Sequence, residues 1–550
     1  MYRQNLDPTG TLAWSALIAA VPLLVVLVLL GVFRWKAHWA GLAALVSALL
    51  VATAGFGMPV AQAADSAAYG AGLSVLLVLW ITFNAIWIYN LTVKSGHFAV
   101  LRRSFAAISD DRRIQAIVIA FSFGALIEAL AGGGSPIAIC SVMLIACGFP
   151  PVKAATLALV ANTAPVAFGG MGNPVTILGQ VTQLPADDFA AMAGRQAPLL
   201  ALLVPFLLVG IADGFRAVRE VWPAALAAGL AFSVGQFTLS NYFSYKLTDI
   251  FAALASAGAV LLLNQVWQPG TAGRAVTAPP VIAGGSSDAS AAEVRRAGTP
   301  DGGDTAADRL TAFAPYLIIV TLFSLAQITP IKNWLAKGVV KFGWPGLHIV
   351  STKGTPVATV YSLNWASATG SLLFLSGLLT LLVLRIGPLS ALRTYGETIR
   401  QFGWAIFTIF CVFALSYVMN LSGQITTLGD WLAEAGGFFA FLAPVVGWFG
   451  VAVTGTDAGS NALFGGLQLA AAHQLDTSPV LFGAANTTGG VMAKMISPQN
   501  LAIGAAAVGA VGQEGTLFRK VFGWSVGLLL LLCVLVWLQS TAVLDWMVVK

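Results

Sequence analysis

Long apolar runs separated by short polar segments dominate the chain. At about 1.5 Å rise per residue a helix needs about 20 apolar residues to cross a bilayer, and runs of that order occur at 11–32, 39–57 and 69–92. Further runs fall at 196–212, 222–240, 247–267, 310–329, 367–384, 402–420 and 521–546. Four other stretches are interrupted. The run 114–149 is broken by Ala131-Gly132-Gly133-Gly134-Ser135-Pro136, and 436–475 by Thr454-Gly455-Thr456-Asp457-Ala458-Gly459-Ser460. Each side of such a break is too short to span, so both predict re-entrant hairpins. The stretches 152–182 and 478–512 carry glycines and a proline in mid-run, which predicts two broken spans.

The two broken spans match each other. Both contain Asn-Thr followed by glycines and a proline, with Asn162 twelve positions before Pro174 and Asn486 twelve before Pro498. Backbone in hydrocarbon must satisfy its own hydrogen bonds, so a broken helix is tolerated only inside protein or against a watery cavity. Paired breaks are where secondary transporters bind substrate.

Composition narrows the class. Of 550 residues 58% are hydrophobic and 9% charged, and the mean hydropathy is +0.85. The expectation is an all-α polytopic membrane protein with about twelve transmembrane helices plus two re-entrant hairpins. The first transmembrane half is 1–267, with hairpin 114–149 and broken helix 152–182; the second is 309–550, with hairpin 436–475 and broken helix 478–512. Between them 268–308, rich in Gly, Ala, Pro and Ser, reads as a flexible cytoplasmic linker. The run 11–32 lacks a small-residue cleavage site and reads as a retained helix. The net charge of +6 follows topology rather than a nucleic-acid surface. With the basic stretch 94–113 placed inside, nineteen of the 28 Lys and Arg residues fall inside, eight outside, and one, Lys494, at membrane depth. The hairpins then enter from opposite faces and form an inverted repeat, which sets a binding site near the midplane.

Three ionisable residues read at membrane depth, where each is costly and therefore a functional candidate. Glu128, before the first tip, is the preferred proton carrier; the alternative is a carboxylate paired with Lys494. Asp457, at the second tip, binds a proton or cation, or else caps a helix. Lys494 suits an anionic substrate, or else neutralises one of the carboxylates. Asn162, Thr163, Asn486 and Thr487 offer polar groups beside unwound backbone, with helix–helix hydrogen bonding as the alternative. Ser135, Ser460 and Asn461 at the hairpin tips complete the candidate substrate-binding set.

Other classes fit less well. The chain has no Gly-x-x-x-x-Gly-Lys-Ser/Thr loop to bind nucleotide. An intramembrane serine hydrolase using Ser135 needs a general base, and no histidine reads at core depth. The four cysteines lie in apolar runs without a Cys-x-x-Cys pair and read as packing residues, and the four histidines form no metal cluster. No cofactor is expected, and the anticipated partners are a small monocarboxylate, protons, the lipid bilayer and a second copy of the chain.

Several segments resemble the bacterial L-lactate permease family. They are Asn162-Thr163-Ala164-Pro165-Val166-Ala167-Phe168-Gly169, Gly194-Arg195-Gln196, Thr454-Gly455 with Asp457, Ser460-Asn461-Ala462-Leu463-Phe464, and Ala485-Asn486-Thr487-Thr488-Gly489-Gly490 through Lys494-Met495-Ile496-Ser497-Pro498-Gln499. Asn5-Leu6-Asp7-Pro8 and Trp365-Ala366-Ser367-Ala368-Thr369-Gly370 are similar too. The resemblance implies a proton-coupled importer of lactate or a related 2-hydroxymonocarboxylate such as glycolate in the inner membrane, belonging to the larger ion-transporter group. A sodium-coupled carboxylate carrier is the alternative. At the first tip the family pattern Glu-Gly-Ala-Ala-Gly-Phe-Gly-Ala-Pro is replaced by Glu128-Ala129-Leu130-Ala131-Gly132-Gly133-Gly134-Ser135-Pro136, which implies a roomier, more polar wall.

Overall fold

The structure, a computed structural model, describes residues 2–549 except 32, 34, 110, 132–133, 270–303, 353, 358 and 402. Most of the expected linker therefore lies outside the described residues. Among the described residues eight helices are long and apolar enough to cross a membrane, or up to ten if each of two bent pairs is one span. Of the expected dozen, 11–32 forms the 20-residue helix Leu12–Gly31, and 367–384 a shorter apolar helix, Thr369–Val383. Conversely, two hairpin arms pass the length test, Arg112–Leu130 and Gly436–Thr454, at 19 residues each.

The first hairpin pairs helical residues 112–131, which include a wide π-helical stretch at Ile117–Phe123, with helix Ser135–Ala146. At its base Arg112 donates to the Gly148 carbonyl, and half-way up the Cys140 thiol donates to the Ile119 carbonyl at 3.2 Å. The second hairpin pairs Phe439–Thr454 with Asp457–Gln474. Ser460 Oγ and Gln468 Nε2 tie its arms by donating to the carbonyls of Gly447 (3.0 Å) and Ala443 (2.9 Å).

Each broken span starts at the base of its own hairpin and ends along the other. Helix Pro151–Ala161 lies against Ser135–Ala146. After the break, Gly169–Thr182 runs beside the second hairpin, where Asn461 Nδ2 donates to the Pro174 carbonyl at 3.0 Å and Leu178 packs on Gly465. The first span bends by 61° between these halves. In the second repeat Pro479–Ala493 leads into Pro498–Ala507, whose Ile503 packs on Gly134 and whose Gly504 approaches Ile137 and Leu159. The hairpins thus meet tip to tip with their bases at opposite ends, an inverted repeat.

A scaffold flanks this unit. It includes Ala37–Leu50, the continuous helical run 60–94, and Gly403–Ser422. The last two cross where Gly70 meets the Phe413 carbonyl so closely that a Cβ would sit 2.5 Å from it. The run read at 402–420 does not stop there: it bends by 72° into Gln424–Ala433. Side chains of the amino-terminal segment satisfy carbonyls at that bend. Gln4 Nε2 donates to Asn420 and Leu421 (3.1 and 3.0 Å), and the Tyr2 hydroxyl donates to Ser422 (2.9 Å). In the outer region 330–366 an antiparallel ribbon pairs Val339–Gly343 with Val360–Asn364, and Tyr2–Arg3 pairs in parallel with Ile349–Val350.

Candidate substrate site

A cavity of about 410 Å³ lies where the hairpin tips and the first break face the scaffold. From the tips it is lined by Glu128, Ser135, Thr456 and Asp457, from the breaks by Asn173, Lys494 and Gln499, and from the scaffold by His38 and Trp404.

At its inner wall the Lys494 ammonium meets Glu128 Oε1 at 2.5 Å, and Asn162 Nδ2 donates to Glu128 Oε2 at 3.0 Å. The Lys494 and Glu128 side chains are only 6% and 4% exposed, so neither charge is solvated on its own. Local structure explains the meeting. Glu128 ends the first hairpin arm, Asn162 caps helix Pro151–Ala161, and Lys494 opens the single 3-10 turn Lys494–Ile496 that breaks the second span. Ser497 then caps the following helix by accepting from Asn500 N at 3.4 Å, and Asn500 Nδ2 returns to the Lys494 carbonyl at 3.0 Å. The turn that presents Lys494 is therefore held from its own next helix.

Asp457 is 3% exposed, and neither carboxylate oxygen has a hydrogen-bond partner. It is not the helix cap: Thr456 fills that position, its Oγ1 accepting from Gly459 N at 3.1 Å. A buried carboxylate without donors costs several kcal/mol in its ionised form, so Asp457 is free to take a proton or a cation from the cavity.

The structure separates the remaining candidates. Ser135, on the first turn of its helix, lines the cavity. Asn162 reaches it only through Glu128, and Thr163 Oγ1 is turned back to the Val160 carbonyl at 2.7 Å. Asn486 and Thr487 are not beside unwound backbone: they lie inside the continuous helix Pro479–Ala493. There Asn461 Nδ2 donates to Thr487 Oγ1 (2.6 Å), Asn486 Nδ2 donates to Asn461 Oδ1 (2.9 Å), and Gln468 Nε2 donates to Asn486 Oδ1 (3.2 Å). With Ser460 they clamp the second hairpin to the second span rather than face the cavity. Gly489 and Gly490 do not interrupt the helix either. They admit the Phe439–Thr454 arm of the second hairpin so closely that a Cβ on Gly489 would lie 2.1 Å from the Pro444 carbonyl, the use of small residues expected between packed membrane helices.

The sequence reading missed several cavity groups. Asn173 Oδ1 is buried without a partner, and it follows Gly170, Met171 and Gly172, all three in left-handed backbone conformation. That run of glycines before Asn-Pro was the available signal. His38 lines the opposite end of the cavity, stacked on Trp404 with ring centroids 4.3 Å apart. Although His38 and Ser135 share the cavity, no hydrogen bond joins them among the described residues. Outside the hairpins and broken spans a further carboxylate, Asp249, is buried to 1% exposure. The sequence reading does not single it out; it lies in the first turn of Thr248–Val266, which packs on Phe215–Tyr242 and the first hairpin.

Comparison with known proteins places this site in context. The family model described as L-lactate permease matches residues 15–543. The chain is 40% identical to "Glycolate permease GlcA" of Escherichia coli (strain K12) over 94% of each chain. It is 38% identical to "L-lactate permease" of the same organism over 100% of each, and 38% identical to "L-lactate permease" of Bacillus subtilis (strain 168) over 98% of each. A multi-pass membrane protein with two opposed hairpins and two broken spans, this chain belongs to the L-lactate permease family.

Proposed function

We infer that the chain imports lactate or a related 2-hydroxymonocarboxylate such as glycolate together with protons, across the bacterial inner membrane, with Lys494 as the carboxylate-binding group. The observation that carries this reading is the buried Lys494–Glu128 pair joining both broken spans and the first hairpin at the cavity wall. A substrate carboxylate entering the cavity competes with Glu128 for the one buried ammonium. Removing the partner of a buried ion pair costs about 3–5 kcal/mol, so Glu128, once displaced, is stabilised by taking a proton. The site then holds one substrate anion, one Lys494 cation and a neutral Glu128, and the anion brings one proton with it. Asn162 stays hydrogen-bonded to the carboxyl in either form, because its amide can donate to the carboxylate or accept from the acid.

The partnerless oxygens of Asp457 favour a second reading, in which that carboxylate holds a sodium ion. One experiment separates the two: uptake of labelled lactate and glycolate into proteoliposomes under an imposed pH gradient or an imposed sodium gradient. Accumulation that follows the pH gradient supports proton coupling, and accumulation that follows sodium and ignores pH overturns it.

A further inference from the structure

Behind the first break, on the side away from the cavity, Gln236 joins two elements. Its Nε2 donates one hydrogen to the Ala164 carbonyl at 3.1 Å and the other to Asp249 Oδ1 at 3.3 Å. Both side chains are buried, Gln236 completely and Asp249 to 1% exposure. The two atoms left over, Gln236 Oε1 and Asp249 Oδ2, are buried without partners, and in an ionised Asp249 both are acceptors. An amide and a carboxyl joined through N–H···O offer one more bond, from the acid O–H to the amide oxygen, which closes a two-bond ring. A single proton on Oδ2 therefore satisfies both orphaned atoms at once.

Among the described residues no Lys, Arg or His is hydrogen-bonded to either atom. The titratable groups on elements packed around Asp249 are Glu128, with Arg112 and Arg113 at the base of its arm; Tyr245 and Lys246 on the preceding turn; the exposed Tyr242; and Arg216, Arg219 and Glu220 at the far end of Phe215–Tyr242. The last three lie about 20–30 Å along the helix from Gln236 at ~1.5 Å per residue. Of the charged groups, Glu128 and Lys494 act on Asp249 electrostatically, and they are already paired with each other.

We propose that Asp249 and Gln236 form a proton-binding site on the rear of the first break, in which the proton on Asp249 is donated to Gln236 Oε1 and the locked amide holds the Ala164 carbonyl. Loss of that proton to water sets Asp249 Oδ2 and Gln236 Oε1 against each other as two acceptors. The amide then turns, and the carbonyl of the unwound turn is released. The site is distinct from Glu128, Asp457 and Lys494, and it makes the geometry of the first break depend on a proton that substrate never touches.

Infrared difference spectra of the full chain in lipid at neutral pH, wild type minus Asp249→Asn, test this without substrate. Asparagine supplies the same donor to Gln236 and preserves the ring. The expected result is the C=O stretch of a hydrogen-bonded, protonated carboxyl in the wild type and its loss in the variant; carboxylate bands in its place overturn the proposal. In Gln236→Leu the band is expected to shift to the position of a free acid, and an unshifted band excludes Gln236 as the partner. Because neither spectrum depends on uptake, failure here leaves the transport reading standing, and failed uptake leaves this site standing.

Discussion

The two broken spans carry the same motif at the same spacing and use it differently. In the first, Asn162 ends a helix and is followed by an irregular stretch through Gly172, with three consecutive left-handed residues. In the second, Asn486 sits in mid-helix with its amide fully engaged, and the break is one 3-10 turn eight residues later. The first break contributes backbone and an amide that holds Glu128, whereas the second contributes a charge. A transported anion needs one strong counter-charge, and two buried lysines would each have to be paired. The two breaks thus share a motif and differ in what they bring to the cavity wall: an amide on Glu128 from the first, the Lys494 ammonium from the second.

The sharpest way to break the comparison is to remove the charge from the second break. Lys494→Ala is expected to abolish lactate and glycolate uptake and to destabilise the protein by about 3–5 kcal/mol, because Glu128 is left buried and unpaired. Glu128→Gln with Lys494→Ala removes that penalty and should recover thermal stability, read as the melting temperature in detergent, while uptake stays absent. Transport by a well-folded Lys494→Ala protein would remove the second break from the site.

Next in size is Glu128→Gln alone. It keeps a hydrogen-bonding partner for Asn162 but cannot exchange a proton, and it leaves Lys494 free for substrate. Gradient-driven accumulation should be lost and lactate–lactate exchange retained. Intact concentrative uptake would show that Glu128 is not the proton carrier.

Much of this arrangement was legible because hydrophobic run length and the position of Gly and Pro reflect the same bilayer constraint that shapes the fold. The breaks in 114–149 and 436–475 and the choice of Glu128, Asp457 and Lys494, all three of them buried, came from that signal. What stayed hidden depends on partners far away in sequence. Gly489 and Gly490 look like helix breakers, yet they are contact surfaces for Pro444 and Val451. The bend at 423 follows a run that reads as complete at 420, and the carbonyls of Asn420, Leu421 and Ser422 are satisfied by Gln4 and Tyr2 from the amino-terminal segment. Asp249 is not singled out by the sequence because its burial comes from packing.

A smaller, diagnostic pair of effects distinguishes the matched asparagines. Asn486→Ala deletes a buried amide that engages Asn461 and Gln468, and orphaned buried polar groups cost about 1–3 kcal/mol. It should lower the melting temperature with little change in KM of the folded fraction. Asn162→Ala removes one hydrogen bond to a carboxylate already held by Lys494. Its stability loss should be the smaller of the two, and its effect should fall on the pH dependence of uptake. Equal effects on stability and transport would mean the two breaks are equivalent after all.

The smallest expected change is at Ser135, where the chain departs from the family pattern. Its hydroxyl lines the cavity at the first turn of its helix, on the opposite side of the tip from Glu128. If it contacts the substrate beyond the carboxylate, Ser135→Ala exchanges one neutral hydrogen bond, worth about 0.5–1.5 kcal/mol, for an apolar surface. Such a difference corresponds to a few-fold shift in preference between glycolate, which presents less carbon to that wall, and lactate, whose methyl group would gain from it. The measurement is the ratio of kcat/KM for the two acids in wild type and variant, with lactate expected to gain. Complete loss of uptake in a folded Ser135→Ala protein would show that the hydroxyl is required rather than a tuning contact.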